Sequence, residues 1–275
     1  MSAGLFAGLS LDEPRIFGII NTTPDSFSDG GEALSPDDAI NRGRKMLEEG
    51  ADILDVGGES TRPGADPVSV DEEITRIEPV VRGLVELGAV VSIDTRRAPV
   101  MTAAIAAGAK IINDVTALTG DPDSLGVAAE SGLPVVLMHM LGEPGTMQDN
   151  PQYDDAAPDV FKYLKDRVAA CEAAGIDRDC IAVDPGIGFG KTLRHNLEIL
   201  NRLDLYKDLG CPVLLGVSRK SFIAKISGEE DPKRRLAGSL AASVAAFSQG
   251  VRLFRVHDVA ETRQALAVCQ AIEGA

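Results

Sequence analysis

The stretch Ile181 to Lys191, IAVDPGIGFGK, ends an apolar run on Asp184 and then breaks into a loop with glycines at 186, 188 and 190. A carboxylate at the edge of such a loop reads as a ligand site, because glycine lets a ligand or another chain segment approach the main chain closely. Seven other apolar runs end on polar residues in the same way: at Asn21, Gly57 to Arg62, Asp94, Asn113 with Asp114, His139, Ser218 to Lys220, and Arg255 with His257. One acid at a strand end is often structural, capping a helix or binding a loop amide. Two of them, Asp94 and Asp184, together with the Asn113 amide, suit a flat, nitrogen-rich heterocycle whose edges offer paired N–H groups to a carboxylate.

A second group is cationic. In SRKSF, Arg219 and Lys220 stand where a helix begins, so free backbone amides, the helix dipole and two cations together favour an anion. RVHD repeats the arrangement, with Arg255 and His257 just before a helix that Asp258 can cap. Either motif alone reads equally as surface cations at a rim. With Arg62 they suffice to neutralise a polyanion even in an acidic chain, since charges beyond about 8 Å are screened in physiological salt. Nucleophilic catalysis has little support, for there is no G-x-S-x-G elbow and no cysteine at a strand end with a histidine partner. No pair shows zinc-ligand spacing. His139, in LMHM, reads as a satisfied core histidine and Met138 and Met140 as packing residues.

These side chains need a scaffold that gathers strand ends. The apolar runs, near 15–20, 52–57, 90–94, 110–115, 134–139, 181–184, 213–217 and 251–256, are short and mostly non-alternating, as strands buried on both faces of a parallel sheet are. Between them lie helical periods: Ala39, Ile40, Gly43, Met46 and Leu47 share one face, and Ile74, Ile77, Val81, Leu84 and Val85 another. Ser35 before Pro36, Asp37 and Asp38 marks a helix start, and Ser69 with Glu72 has capping-box spacing. Eight strand–helix alternations without a linker predict an α/β fold, a (β/α)8 TIM barrel of eight parallel strands, as one domain over residues 1–275. An open doubly wound sheet is the weaker alternative, because no G-x-G-x-x-G follows the first strand. The connections after strands 1 and 2, residues 21–35 and 57–69, and that over 140–157, are long and rich in Gly, Pro and Ser, and are expected to act as mobile lids.

The net charge, 27 minus 42 or −15, argues against a nucleic-acid surface, which needs a basic face. The opening MSAGLFAGLSLDEPR lacks a basic leader and an apolar h-region, and no run approaches the roughly 18 residues of a membrane span. No nucleic acid and no membrane are expected as partners, and the expected location is cytoplasmic. The four cysteines, 171, 180, 211 and 269, show no C-x-x-C pairing and read as reduced.

In NTTPDSFSDGG (21–31), DVGGESTRPGA (55–65), SIDT (92–95), IND (112–114), LMHM (137–140), DPGIGFGK (184–191), SRKSF (218–222) and RVHD (255–258), the chain resembles the dihydropteroate synthases. The resemblance runs from about residue 15 to 270, and Thr22 stands where family members often have valine. It implies an enzyme of folate biosynthesis, an alkyl transferase that joins a hydroxymethyl-dihydropterin diphosphate to p-aminobenzoate, releases diphosphate and is a target of sulfonamides. Asp94, Asn113, Asp184, Lys220 and Arg255 would then hold the pterin. Asn21, Thr61, Arg62, Arg255 and His257 would hold the diphosphate, with magnesium at Asn21. Phe27, Pro63, Gly188, Phe189 and Ser221 would line the p-aminobenzoate pocket, and Asp94, Lys220, Arg255 and His257 would be catalytic. A homodimer is implied as well. Two rivals share the barrel, a pterin-dependent methyltransferase and a non-catalytic pterin-binding paralogue. SRKSF, RVHD and STRPG count against the first, and the intact site against the second.

Overall fold

The computed structural model describes residues 4–23, 35–60, 68–143 and 145–275. A short antiparallel hairpin, β1 (Leu5–Phe6) and β2 (Leu9–Ser10), comes first. Strands and helices then alternate: β3 (Arg15–Asn21), α1 (Pro36–Glu48), β4 (Ile53–Gly57), α2 (Val70–Glu86), β5 (Val91–Asp94), α3 (Ala98–Ala107), β6 (Ile111–Asp114) and α4 (Ser124–Ser131). The second half continues with β7 (Val135–Met138), α5 (Ala156–Ala173), β8 (Ile181–Asp184), α6 (Leu193–Leu200), β9 (Leu214–Leu215), α7 (Ser221–Ser227), α8 (Leu236–Ser248), β10 (Leu253–Val256) and α9 (Val259–Glu273).

The eight later strands run parallel in the order β8-β7-β6-β5-β4-β3-β10-β9. An isolated parallel bridge, Val183 to Val213, joins the two ends, with the Val183 amide donating to Pro212 O at 2.9 Å. That closure makes the sheet the expected barrel and removes the open-sheet alternative. Among the described residues no helix is long and apolar enough to cross a membrane.

Period-two alternation decides what fills the barrel. Phe17, Ile53, Ile111, Val136, Ala182, Leu214 and Leu253 form one apolar cluster in its lower half. Phe6 and Leu11 join that cluster from the hairpin, which plugs the amino-terminal end. The hairpin was not anticipated, since its strands are too short to show a period and its Ala7-Gly8 turn, with both φ values positive, lacks the usual Asn-Gly signal. Two residues further along the strands, the same inward row carries Asp55, Asn113, Asp184 and Arg255. The barrel is therefore apolar below and charged above. The alternate residues, among them Leu54, Val56, Ile93, Ile112, Val135 and Leu137, pack outward in the main core, each contributing roughly 1.5–3 kcal/mol by burial.

Helix starts follow their caps. Ser35 Oγ accepts from the Asp38 amide and Ser69 Oγ from the Glu72 amide, both at 3.2 Å. The capping box at Ser69 is only half formed, because the Glu72 carboxylate pairs with Arg76 one turn on instead of returning to the cap. Asp258 occupies the N-cap position of α9 without capping it, and its carboxylate takes the Arg219 guanidinium.

Candidate active site

Strand register sets the mouth of the barrel: Asn21 lies opposite Gly57, Gly57 opposite Asp94, and Asp94 opposite Asn113. Arg255 comes from β10 and braces two acids at once, its Nε 2.5 Å from Asp55 Oδ2 and its Nη2 2.7 Å from Asp94 Oδ2. Asp55 is fully buried and also accepts from Asn113 Nδ2, at 3.2 Å to Oδ2 and 3.4 Å to Oδ1. The Asp94 side chain keeps 15% of its surface exposed. Burial pushes its carboxyl up to about 7, and the neighbouring Asp55 adds to the rise while Arg255 opposes it. A Cβ at Gly57 would come within 3.7 Å of Asp94 Oδ2, so glycine there keeps the space beside the carboxylate open.

On the other side of the mouth, Asp184 ends β8 and its Oδ1 accepts from the Gly186 amide at 2.7 Å. Burial raises its pKa, and Lys220 is the chief counterweight. Lys220, the residue before α7, donates to Ile187 O and lies 4.5 Å from the centroid of the Phe189 ring. Burial lowers its ammonium to about 8, with Asp184 partly restoring it. The loop between Asp184 and Lys191 is held from beneath. Lys191 is 2% exposed, and its Nζ lies 2.9 Å from His139 Nδ1 while donating to Phe189 O at 2.9 Å and His139 O at 3.3 Å. Gly186, at φ +67°, lies so close to the His139 carbonyl that an added Cβ would stand 1.9 Å from its oxygen.

The arrangement pairs acceptor-only carboxylates, one bifunctional amide and donor-only cations around a single opening, which is the chemistry of a planar heterocycle bound by its edges. Comparison with known proteins points the same way. The model of a family described as pterin binding enzyme matches residues 17–257. A dihydropteroate synthase of Escherichia coli K12 is 48% identical over 271 residues, covering 97% of this chain and 95% of that protein. Among solved structures, Xanthomonas albilineans dihydropteroate synthase with 4-aminobenzoic acid matches at a TM-score of 0.91 and 48% identity, over 98% of this chain and 97% of that one. Yersinia pestis dihydropteroate synthase with a sulfonamide drug complex matches at 0.93 and 43% identity, over 100% and 99%. The chain belongs to the dihydropteroate synthases. It is thus an enzyme of the alkyl-transferase class.

Against that family identity, the site residues expected from the sequence take different places. Asp94, Asn113, Asp184, Lys220 and Arg255 converge on the mouth, with Gly188 and Phe189 on the loop beside Lys220 and Ser221 exposed on the first turn of α7. His257 is tied to the β9 end: its amide donates to Ser218 Oγ at 3.1 Å, and its Nδ1 lies 3.0 Å from the same oxygen. Phe27, Thr61, Arg62 and Pro63 lie outside the described residues. Arg219, one of the two cations read from SRKSF, is committed to Asp258, and its amide donates to Ser239 Oγ at 2.8 Å. Asp114, a strand-end acid, turns out to be structural, accepting from the amides of Thr116 and Leu118 at 2.7 and 3.1 Å.

The magnesium expected at Asn21 is overturned. Asn21 offers a single neutral amide oxygen, and the acids on the next two strands, Asp55 and Asp94, are taken by Arg255. Among the described residues no group of three or more His, Cys, Asp or Glu side chains is placed to hold a metal ion.

The long connection after β7 is fastened rather than free. Gln148 Nε2 donates to Gly188 O at 2.6 Å, Tyr153 Oη to Gly190 O at 2.8 Å, and Met147 is buried. The described ends of the connection after β4 are clasped by Arg97, which reaches Glu59 and the Val68 carbonyl, both at 2.6 Å. His139 is a core residue as expected, with burial and Lys191 pushing its pKa down to about 2. Two site residues were missed, Asp55 and Lys191. Asp55 sits inside an apolar run, yet its place two residues after Ile53 and two before Gly57 puts it in the inward row.

Proposed function

We propose that the barrel mouth binds a dihydropterin diphosphate and p-aminobenzoate and joins them, releasing diphosphate. The observation that carries this is the ring of Asp94, Asn113, Asp184, Lys220 and Arg255 about one opening. The related Xanthomonas albilineans structures hold 4-aminobenzoic acid in one case and 7,8-dihydropteroate in another. A dihydropterin has three hydrogen-bonding edges. Its adjacent amino and N3–H donors match a carboxylate, for which Asp184 serves. Its N1 acceptor beside the N8–H donor matches an amide, Asn113, and its O4 and N5 acceptors match the ammonium of Lys220.

In the reaction the methylene C–O bond breaks with its electron pair going to diphosphate. The arylamine nitrogen forms the new C–N bond and loses one proton to solvent. Such an amine is neutral near pH 7, so no strong base is needed. Asp94 stabilises the positive charge that develops on the ring and methylene. One carboxylate about 4 Å from that charge is worth roughly 4 kcal/mol at an effective dielectric of 20, or about a thousandfold in rate. Arg255, whose Nη1 makes neither of the two contacts to acids, and His257 take the charge of the leaving group together with Arg62 and Thr61. Gly188, Phe189 and Ser221, with Phe27 and Pro63, receive p-aminobenzoate, and sulfonamides compete for that place. Residues 1–275 act as one domain, in the cytoplasm and as a homodimer, in keeping with the family resemblance. The decisive experiment incubates the purified chain with the pterin diphosphate and p-aminobenzoate and follows dihydropteroate by chromatography. Product is expected in stoichiometric amount with diphosphate. Pterin binding without product above the level of Asp94→Asn would favour the non-catalytic paralogue.

A further inference from the structure

Asn113 is 5% exposed and sits against an acid that is fully buried. That acid, Asp55, pairs with the Arg255 guanidinium at 2.5 Å, and a carboxylate in an ion pair only accepts hydrogen bonds. The amide of Asn113 therefore has one permitted orientation. Its Nδ2 gives one proton to Asp55 at 3.2 Å, and the flipped amide would set two oxygens against each other at that distance in a buried place. In the permitted orientation the amide has one acceptor, Oδ1, and one remaining N–H to give a ligand.

We infer that Asp55 is a positioning residue that locks the Asn113 amide and thereby selects a ring offering an N–H at that edge, a dihydropterin rather than its aromatic, fully oxidised form. Oxidation turns the N8–H donor into a lone pair, which would face the fixed Asn113 oxygen. The inference rests on the pterin reading above and adds the redox state of the ring to it. Asp55 touches no ligand in this scheme and acts through Asn113.

The test measures calorimetric dissociation constants of the full chain for hydroxymethyl-dihydropterin and for its oxidised counterpart, both without diphosphate. The wild type should prefer the reduced ring by about tenfold, the worth of one hydrogen bond. In Asp55→Asn the residue at position 55 can donate as well as accept, so the Asn113 amide is free to turn and the preference should fall to within about twofold. If Asp55 merely braced Arg255 or the fold, both rings would weaken together at an unchanged ratio, and that result would overturn the inference. A wild type that binds neither ring would overturn the pterin reading itself, which separates the two failures. Should Asp55→Asn not fold, the wild type carries the test alone. In a proton–nitrogen correlation spectrum, with the Asn113 side chain assigned by its absence from Asn113→Ala, one amide proton should exchange slowly before any ligand is added. Two protons exchanging equally fast would overturn the lock.

Discussion

Arg255 and Asp94 lie 161 residues apart in the chain and 2.7 Å apart in the mouth of the barrel. The pairing answers a conflict in the site. Burial favours a neutral Asp94, whereas the proposed role beside a cation-like transition state would need it charged, and Arg255 is the group that opposes the rise in its pKa. A guanidinium suits the task because its planar fork reaches a second acid, Asp55, without leaving the first.

Asp94→Asn keeps the size of the side chain and part of its hydrogen bonding but removes the charge. Turnover should fall about a thousandfold or more, while pterin affinity stays within about tenfold. Single-turnover rates measured beside calorimetric binding separate the two effects. Near-wild-type turnover would show that the acid plays no electrostatic part.

Arg255→Ala leaves Asp55 buried without its cation and Asp94 without its counterweight. Removing one partner of a buried pair costs about 3–5 kcal/mol, and the 21% exposure of Arg255 places the expected loss toward the lower end. Urea denaturation at pH 7 reads it directly. A loss under about 1 kcal/mol would mean that water reaches both acids once the guanidinium is gone.

The pH dependence follows from the two groups with opposite shifts. Asp94, raised to about 7, takes up a proton as pH falls through that value, so kcat/KM should drop on the acid side. Lys220, lowered to about 8, loses its proton as pH rises through that value, so pterin binding should weaken on the alkaline side. The profile is a narrow bell between them. Lys220→Arg, which stays charged, should abolish the alkaline limb, and its persistence in that variant would assign the limb to another group.

Most of this architecture was legible from one local property, apolar runs that end on polar side chains. Asp94, Asn113, Asp184 and Arg255 were found that way because each is the last inward residue of its strand, and Lys220 because it stands directly before the helix that follows β9. What escaped depends on pairing between distant segments. Nothing near RVHD tells that Asp258 prefers Arg219, and nothing near NTTP tells that Arg255 occupies the acids a metal would need. The connection after β7 looked like a lid by composition, and only its bonds to Gly188 and Gly190 show it fastened. Asp55 was hidden because a charge inside ILDV breaks no hydrophobic pattern of its own.

Lys191 supplies the last expectation. Its amine is buried beneath the glycine loop and its pKa is held well below the ordinary lysine value, chiefly by burial and then by Lys220. In the unfolded chain the same lysine holds its proton up to its ordinary pKa of about 10.4. Between the lowered value in the fold and that unfolded value the unfolded state binds more protons than the folded one, so stability should rise with pH there. One proton is worth about 1.4 kcal/mol per pH unit. Lys191→Met removes this contribution together with the bonds to His139 O, Phe189 O and His139 Nδ1. Two outcomes are expected when urea midpoints are compared at pH 7 and 9. The rise seen in the wild type should be smaller in Lys191→Met, because the lysine's own contribution is gone. Pterin affinity should fall as well, because the loop bearing Gly186, which donates to Asp184, loses its support. An equal rise in both proteins would show that Lys191 keeps its proton in the fold, and unchanged affinity would show that the glycines hold the loop unaided.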